Sequence, residues 1–295
     1  MKILITGATG FIGRHLTARL AGTHDLHAIV RKGSSTAGLE NKAAVFFYDG
    51  NIAHLLAYFE KEQFDGVVHL ASLFLAAHTP EKIADLIDAN IRFGTELLEA
   101  CRAGEVKWFV NTGTFWQHYR NETYNPVNLY AATKEAFTDI AKYYTETSAL
   151  VFATVKLSDT FGPGDTRNKI FNLWADIART GEPLEMSAGE QIIDISYIDD
   201  VVDAFELLIG RLGSAEAHRC RNSVFGVSSA ERMPLKMLAA LFEEATGAKL
   251  NIRWGARPYR EREVMTPWEN AEAVPGWRPK HTLKEAITKT IGAIR

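Results

Sequence analysis

A tyrosine and a lysine four positions apart, Tyr130 and Lys134, form the pair in this sequence best suited to proton transfer. Residues at this spacing lie on one face of an α-helix. An ammonium group beside a phenol favours the phenolate, which lowers the pKa of the tyrosine. The pair therefore predicts that Tyr130 acts as a general acid or base near neutral pH, with Lys134 tuning it.

Two threonines precede this helix at the end of a predicted strand. Thr112 ends the strand at 107–112, and Thr114 comes two positions later. A hydroxyl at this place could hold the substrate oxygen that Tyr130 protonates. The alternative is that these threonines cap or close a β-turn.

Three glycines near the start of the chain predict a dinucleotide site. Residues 3–13 read ILITGATGFIG, in which a short apolar strand is followed by a glycine turn and then by a helix. Gly7 permits the tight turn, Gly10 lets the backbone approach a pyrophosphate, and Gly13 lets helix and strand pack closely. The helix N-terminus offers free N–H groups to the phosphates. A purely structural glycine turn is the alternative. The predicted cofactor contacts here are Gly7, Thr9, Gly10, Phe11, Ile12 and Gly13.

The end of the second predicted strand indicates which dinucleotide binds. An NAD site usually has an acidic residue there, whereas an arginine accommodates the 2′-phosphate of NADP. This chain has Arg31 and Lys32, followed by Gly33 and the hydroxyls of Ser34 and Ser35. We therefore expect NADP(H) rather than NAD(H), held by Arg31, Lys32 and Ser34. The alternative is an ordinary solvated basic turn.

Strand-like and helix-like segments alternate through the first half of the chain. We predict strands at 2–6, 26–31, 45–48, 66–70, 107–112 and 151–157, with helices notably at 81–103 and 126–147. Such repeats are typical of an α/β fold, here a Rossmann-type doubly wound parallel sheet. After residue 162 the pattern changes, which predicts a dinucleotide-binding domain at 1–162 and a smaller α/β substrate lobe at 163–295. Some later elements could return to the first domain.

Composition favours a small-molecule enzyme. The 295 residues are 46% hydrophobic and carry a net charge of −3, which gives no basic excess for nucleic acid or membrane lipid. No apolar run reaches transmembrane length, and a strand at residue 2 leaves no room for a signal peptide. We therefore expect a cytoplasmic protein. Cys101 and Cys220 are isolated, so neither a metal site nor a disulfide framework is predicted.

In this order the motifs resemble the extended short-chain dehydrogenase/reductase family of nucleotide-sugar epimerases, dehydratases and reductases. The resemblance covers nearly the whole chain, and its motifs are GATGFIG at 7–13, Asp49, HLAS at 69–72, Asn90, Thr112, Tyr130 with Lys134, and FGPGD at 161–165. It implies that Thr112, Tyr130 and Lys134 are catalytic, that Tyr130 and Lys134 also contact the cofactor, and that Lys134 reaches the nicotinamide ribose. The further cofactor contacts that it implies are Asp49 and Gly50 near adenine, Leu70, Ala71, Ser72 and Leu157 along the cofactor, and Asn90 in a structural or cofactor-proximal place.

The stretch NTGTFWQHY…YNPVNLYAATK resembles one branch of this family, the CDP- and dTDP-linked 4-keto-6-deoxyhexose reductases and epimerases such as CDP-abequose and CDP-paratose synthases. A dehydratase of the family would carry an Asp-Glu pair after the threonine, where this chain has Gly113 and Thr114. The chain also departs from the family at Asp159, where asparagine is usual, and at Ile193, where arginine is usual. The resemblance implies substrate contacts at Thr114, Trp116, Asp159 and Arg260, the last chosen among Arg257, Arg260 and Arg262.

The sequence therefore predicts NADPH-dependent reduction of the 4-keto group of a nucleotide-linked 4-keto-6-deoxyhexose. A nucleotide-sugar 4-epimerase that retains NAD is the alternative enzyme. A non-catalytic NADP(H)-binding sensor or scaffold is the alternative of another class, although a sensor has no need of Thr112, Tyr130 and Lys134. The family also pairs two helices across a dimer interface, which here implies a homodimer through 81–103 and 126–147.

Overall fold

The computed structural model of the chain describes residues 1–292. Its centre is a seven-stranded sheet in the order β11-β6-β5-β4-β1-β2-β3, and every neighbouring pair in it is parallel. The strands are β1 Lys2–Thr6, β2 Asp25–Arg31, β3 Ala44–Tyr48, β4 Gly66–His69, β5 Trp108–Thr114, β6 Val151–Leu157, β7 Asp159–Phe161, β8 Leu184–Met186, β9 Ile192–Ile193, β10 Ile195–Tyr197, β11 Val224–Val227, β12 Met233–Pro234 and β13 Ile252–Trp254. The sheet confirms the predicted Rossmann-type α/β fold.

Helices cover both faces of this sheet. They are α1 Phe11–Leu20, α2 Ile52–Glu62, α3 Ile83–Ile87, α4 Phe93–Ala103, α5 Leu129–Thr147, α6 Ile170–Thr180, α7 Ile198–Leu212, α8 Leu235–Thr246 and α9 Leu283–Ile291, with short 3-10 turns at Pro80–Lys82, Phe115–Gln117, Tyr119–Asn121 and Ala217–Cys220. None of the helices within residues 1–292 combines the length and the apolar character needed to cross a membrane.

The first strand shows how the two layers are built. Ile3 and Ile5 belong to the core cluster that includes α1 and α7, whereas Leu4 belongs to the cluster that includes α4 and α5. All three residues are fully buried. Because successive side chains of a strand point to opposite faces, a strand buried on both sides reads as a continuous apolar run.

The later part of the chain forms three small two-stranded sheets, β7 with β10, β8 with β13 and β9 with β12. Several of its elements contact residues 1–162: β10 pairs with β7, β11 pairs with β6, and α7 packs on α1. The boundary near residue 162 therefore stays a prediction, and the last three residues of the predicted second lobe lie outside the described part of the chain.

Several strand ends differ from those predicted by one residue, and three larger differences lie near the candidate site. Helix α5 begins at Leu129 rather than 126, because the Asn128 side chain accepts a hydrogen bond from the Ala131 N–H and caps it. Strand β5 runs on to Thr114, which pairs with Leu157 of β6. The segment predicted as one helix at 81–103 contains a 3-10 turn, α3, a π-helical turn at Asp88–Arg92 and α4.

Candidate active site

The glycine turn between β1 and α1 is packed against other backbone. Gly7 has a φ of +70°, and a Cβ there would lie 2.7 Å from the Ala71 nitrogen. A Cβ on Gly13 would lie 2.1 Å from the Gly7 oxygen. Gly10 is the N-cap of α1 and no side chain caps this helix, so its first N–H groups are open to a phosphate. This cradle fits the pyrophosphate of a dinucleotide.

The cations at the end of β2 are exposed on a tight turn. Gly33 has a φ of +85°, and the Ser34 N–H donates to the Arg31 oxygen at 3.0 Å. Arg31 and Lys32 are both exposed, and neither has an ion pair within residues 1–292. The turn thus presents two free positive charges at the sheet edge where the strands end.

Asp49 lies beside this turn, since it comes directly after Tyr48, the register partner of Arg31. The Asp49 carboxylate accepts a hydrogen bond from the Asn51 N–H at 3.0 Å and pairs with His54 at 2.9 Å. These hydrogen bonds hold the pKa of Asp49 below its ordinary value. Gly50 adopts a positive φ of +87°. Asp49 and Gly50 therefore follow β3 beside the Arg31 turn, and their contact with adenine stays a prediction.

The segment after β4 is fixed to β1 by a buried hydroxyl. Thr6 Oγ1 lies 2.7 Å from His69 Nδ1 and accepts a hydrogen bond from the Ala71 N–H at 3.2 Å. Burial lowers the pKa of His69 to about 3, so its imidazole is neutral. Leu70 and Ala71 thus lie against the glycine turn, as a cofactor-lining segment requires.

Both polar atoms of the Asn90 side chain form hydrogen bonds with other groups of the protein. Its Oδ1 accepts from the Ser72 hydroxyl at 3.0 Å and from the Leu73 N–H at 2.8 Å, and its Nδ2 donates to the Leu73 oxygen and to Thr133 Oγ1, both at 3.0 Å. Of the two roles that the resemblance implies for Asn90, these contacts favour the structural one.

The Thr112 hydroxyl makes no hydrogen bond in the described part of the chain. Its Oγ1 is shielded from solvent. A buried polar group without a partner is costly, and native proteins keep few of them. Thr112 lies three residues before the 3-10 turn Phe115–Gln117, near the carboxyl end of β5. Such a hydroxyl suits a bound oxygen atom.

Tyr130 and Lys134 lie on the first two turns of α5, as predicted. Lys134 is 2% exposed, and burial lowers its pKa to about 8. Burial raises the pKa of Tyr130 to about 12, which outweighs a hydrogen bond to Ser72 that acts in the other direction. The prediction that Lys134 lowers the phenol pKa is therefore corrected: desolvation dominates and keeps the phenol protonated near neutral pH.

Phe74 contacts the Tyr130 ring and is itself surrounded by aromatic and charged side chains. Its ring lies 5.1 Å from that of Tyr130 and 5.5 Å from that of Trp116. Lys169 Nζ lies 4.6 Å from the Phe74 ring centre and pairs with Asp159 at 2.7 Å. Two predicted substrate residues, Trp116 and Asp159, are therefore brought to the same side of α5. Leu157, predicted along the cofactor, is buried at the end of β6.

The side chains of Thr114 and His118 both form hydrogen bonds with other groups of the protein. Thr114 Oγ1 accepts from the Trp116 N–H at 3.2 Å and caps the turn at Phe115–Gln117, which is the alternative that the sequence left open. His118 is 7% exposed, and its nitrogens face the Glu122 oxygen at 3.0 Å and Lys156 Nζ at 2.8 Å.

Of the three arginines considered for the substrate, Arg262 is the one that the structure places beside the start of α5. It lines a cavity of about 390 Å³ with Asn128 and Leu129, and its guanidinium lies 4.3 Å from the Tyr119 ring centre. Arg260, the predicted residue, is exposed. The sequence of this loop does not distinguish the three arginines. Arg262 is singled out by a contact with Asn125 that exists only in the folded chain.

Residues 3–219 match the family described as the NAD dependent epimerase/dehydratase family. Among curated proteins, the chain is 25% identical to CDP-abequose synthase of Salmonella muenchen, over 98% of this chain and 97% of the relative. It is 23% identical to UDP-glucuronate 4-epimerase 2 of Arabidopsis thaliana, over 99% of this chain and 75% of the relative.

The fold is similar to that of a UDP-glucose 4-epimerase from Thermotoga maritima solved with UDP-glucose. That similarity has a TM-score of 0.84 at 22% identity and covers 99% of this chain and 97% of that one. A UDP-glucuronic acid 4-epimerase from Bacillus cereus, solved with UDP-glucuronic acid and NAD, gives a TM-score of 0.82 at 19% identity, over 99% of this chain and 98% of that one. Because the family match spans well over half of its residues, this chain belongs to the NAD dependent epimerase/dehydratase family.

Proposed function

We propose that this chain catalyses the NADPH-dependent reduction of the 4-keto group of a nucleotide-linked 4-keto-6-deoxyhexose. The observation that carries the proposal is the shielded Thr112 hydroxyl, which has no partner in the described structure and stands at the end of the strand that leads to the Tyr130 helix. A carbonyl oxygen of the substrate would accept its hydrogen bond.

The residues at the sheet edge fit the cofactor. The turn at Gly7, Gly10 and Gly13 would hold the pyrophosphate, while Arg31 and Lys32 would pair with the 2′-phosphate. When bound, the reduced nicotinamide supplies the hydride. Lys134 would hydrogen-bond the nicotinamide ribose.

The protonation states suit a reduction. With a pKa of about 12, the Tyr130 phenol holds its proton at neutral pH and is ready to donate it to the oxygen of the reduced carbon. With a pKa of about 8, Lys134 is mostly charged at neutral pH, and its ammonium would stabilise the phenolate left behind. An epimerase, in contrast, must first remove a proton from a hydroxyl, for which a resting phenolate is better suited.

The substrate class rests on the relatives and on the two residues directly after Thr112. The three CDP-abequose synthases are similar over nearly their full lengths. Gly113 offers no acid for dehydration, and Thr114 caps a turn. Phe74 and Trp116 would pack on the sugar, and Arg262 would supply a donor to the diphosphate.

A nucleotide-sugar 4-epimerase with bound NAD is the second candidate. It is favoured by the similarity to UDP-glucuronate 4-epimerases, which extends over 99% of this chain for one of them. Such an enzyme would oxidise and re-reduce one carbon, so that it would consume no cofactor overall.

A substrate screen tests the proposal. The purified protein is incubated with NADPH and with CDP-, dTDP-, UDP- or GDP-linked 4-keto-6-deoxyhexoses, and products are identified by NMR. We expect NADPH oxidation that is stoichiometric with a 4-hydroxy product for one nucleotide series. Turnover of UDP-sugars without net change in nicotinamide absorbance would support the epimerase instead.

A further inference from the structure

Two buried titratable side chains lie beneath the candidate site and take no part in the proposed proton transfer. Lys156 of β6 is 5% exposed and His118 is 7% exposed. Lys156 Nζ lies 2.8 Å from His118 Nε2 and 3.6 Å from Glu135 Oε2. A lysine within a buried strand is expensive unless it is paired, so this arrangement needs an explanation.

The partners of His118 determine its protonation state. Nδ1 lies 3.0 Å from the Glu122 carbonyl oxygen, which can only accept, so Nδ1 carries the proton. Nε2 is then the acceptor for the Lys156 ammonium. The neutral ring stacks on Trp268, with 3.9 Å between ring centres and 13° between planes.

Gln117 extends this network to the catalytic strand. Gln117 is fully buried, its Oε1 accepts from the Thr114 N–H at 2.8 Å, and its Nε2 donates to Glu135. Glu135 is the residue directly after Lys134 on α5. Hydrogen bonds through Gln117 therefore join the Thr114 end of β5 to Glu135 on the second turn of α5, and Lys156 pairs with Glu135 there.

Lys156 also packs directly on the backbone beside Thr112. A Cβ on Gly113 would lie 2.8 Å from Lys156 Cγ and 2.8 Å from Gln117 Oε1. Gly113 and Lys156 are register partners across β5 and β6. The lysine stem thus fills the space over Gly113, which limits movement of the backbone that carries the Thr112 hydroxyl.

We propose that Lys156, through Glu135, Gln117 and His118, is a positioning residue that holds the Thr112 end of β5 in register with the helix carrying Tyr130 and Lys134. This role rests on the proposed function, in which the substrate oxygen must meet Thr112 and Tyr130 together. A misplacement of about 1 Å can lower turnover about 100-fold.

The test compares Lys156→Met and Glu135→Gln with two controls of the same chemistry on exposed positions of α5, Lys142→Met and Glu146→Gln. Each variant is checked by circular dichroism for folding at the assay temperature. The measured quantities are the NADPH Kd, kcat and KM with the substrate found in the screen. We expect both test variants to lose about 10- to 100-fold in kcat, with Kd and KM changed less than about threefold.

The double variant and the histidine spectrum complete the test. Because both residues act in one network, the double variant should lose no more kcat than the more impaired single variant. The ¹⁵N spectrum of His118 should show the Nδ1–H tautomer in the wild type and a changed Nε2 signal in Lys156→Met. Wild-type kcat in folded Lys156→Met and Glu135→Gln, or an Nε2–H tautomer in the wild type, would overturn the positioning role alone. Absence of wild-type turnover on every keto sugar would overturn the proposed function, and this role with it.

Discussion

The Asn90 side-chain amide donates a 3.0 Å hydrogen bond to the Thr133 hydroxyl, one residue before the candidate catalytic lysine. The Thr133 hydroxyl in turn donates to the Tyr130 backbone oxygen at 2.7 Å. Asn90 lies in the π-helical turn at Asp88–Arg92 and is 1% exposed. This contact fixes the first turns of α5 against the segment after β4, so that Ser72 and Tyr130 keep their relative positions.

Replacing Thr112 by valine separates catalysis from stability. The Thr112 hydroxyl has no partner in the described structure, so Thr112→Val removes an unsatisfied polar atom and should leave the melting temperature unchanged or higher. Turnover should fall while the NADPH Kd stays the same. The matched control is Thr133→Val, which removes a hydroxyl with two partners and should cost about 1–3 kcal/mol of stability. A destabilised Thr112→Val with normal turnover would refute the assignment.

Tyr130→Phe removes only the proposed proton donor. Positioned general acid catalysis contributes roughly 100- to 10,000-fold, so kcat should fall by that factor. Cofactor titration should show an unchanged affinity, because the ring and its contact with Phe74 remain. Tyr143→Phe, on an exposed position of the same helix, is the control and should match the wild type. Near-normal turnover of Tyr130→Phe on a confirmed substrate would mean that another group supplies the proton.

Arg31 should determine the choice of cofactor. Hydrogen bonds to a charged group contribute on the order of 1.5–3 kcal/mol, so NADPH should bind at least about tenfold more tightly than NADH. Arg31→Ala should reduce the difference between the two affinities by weakening NADPH binding alone. Arg253 is another exposed arginine, and Arg253→Ala should leave the difference unchanged. Fluorescence titration measures both constants. Equal wild-type affinities for the two cofactors would contradict the NADP assignment.

The pH dependence should report Lys134. Burial lowers its pKa to about 8, so the ammonium form is present below that pH and is lost above it. If the ammonium stabilises the Tyr130 phenolate, kcat/KM should fall as pH rises through about 8. Arginine stays charged over this range, so in Lys134→Arg the decline should move to higher pH whatever its absolute activity. A wild-type profile that is flat through this interval would show that the charge of Lys134 is not needed.

Much of the fold could be predicted because the sheet is buried on both faces. Strand β6 was predicted with its observed bounds, and β1 likewise, since each is a short apolar run with clear ends. The start of α5 and the π-helical turn around Asn90 were not predicted. The first depends on the hydrogen bond between Asn128 and Ala131, and the second on the hydrogen bond between Asn90 and Thr133. The spacing of apolar residues does not predict such side-chain contacts.

The sequence predicts Gly7 in the turn after β1 and Tyr130 with Lys134 on one helix, and the structure has them there, while their roles in the site stay predictions. The contact between Lys156 and His118 was not predicted, because the two residues are 38 positions apart and meet only in the folded chain. One signal was available: Lys156 is the one charged residue of a mostly apolar strand, where a lysine needs a buried partner. The pKa of Tyr130 was predicted in the wrong direction, since helix spacing carries no information on burial.

The most direct test of the account is the fate of the hydride. The purified protein is given NADPH deuterated at the transferred position and a nucleotide-linked 4-keto-6-deoxyhexose, and the product is examined by NMR. If the proposed reduction is correct, the purified protein is largely free of bound cofactor. One NADPH is consumed per sugar, and deuterium is found at carbon 4 of the product. Tightly held NAD and no net NADPH consumption, together with epimerisation of UDP-sugars supplied in a parallel incubation, would contradict it.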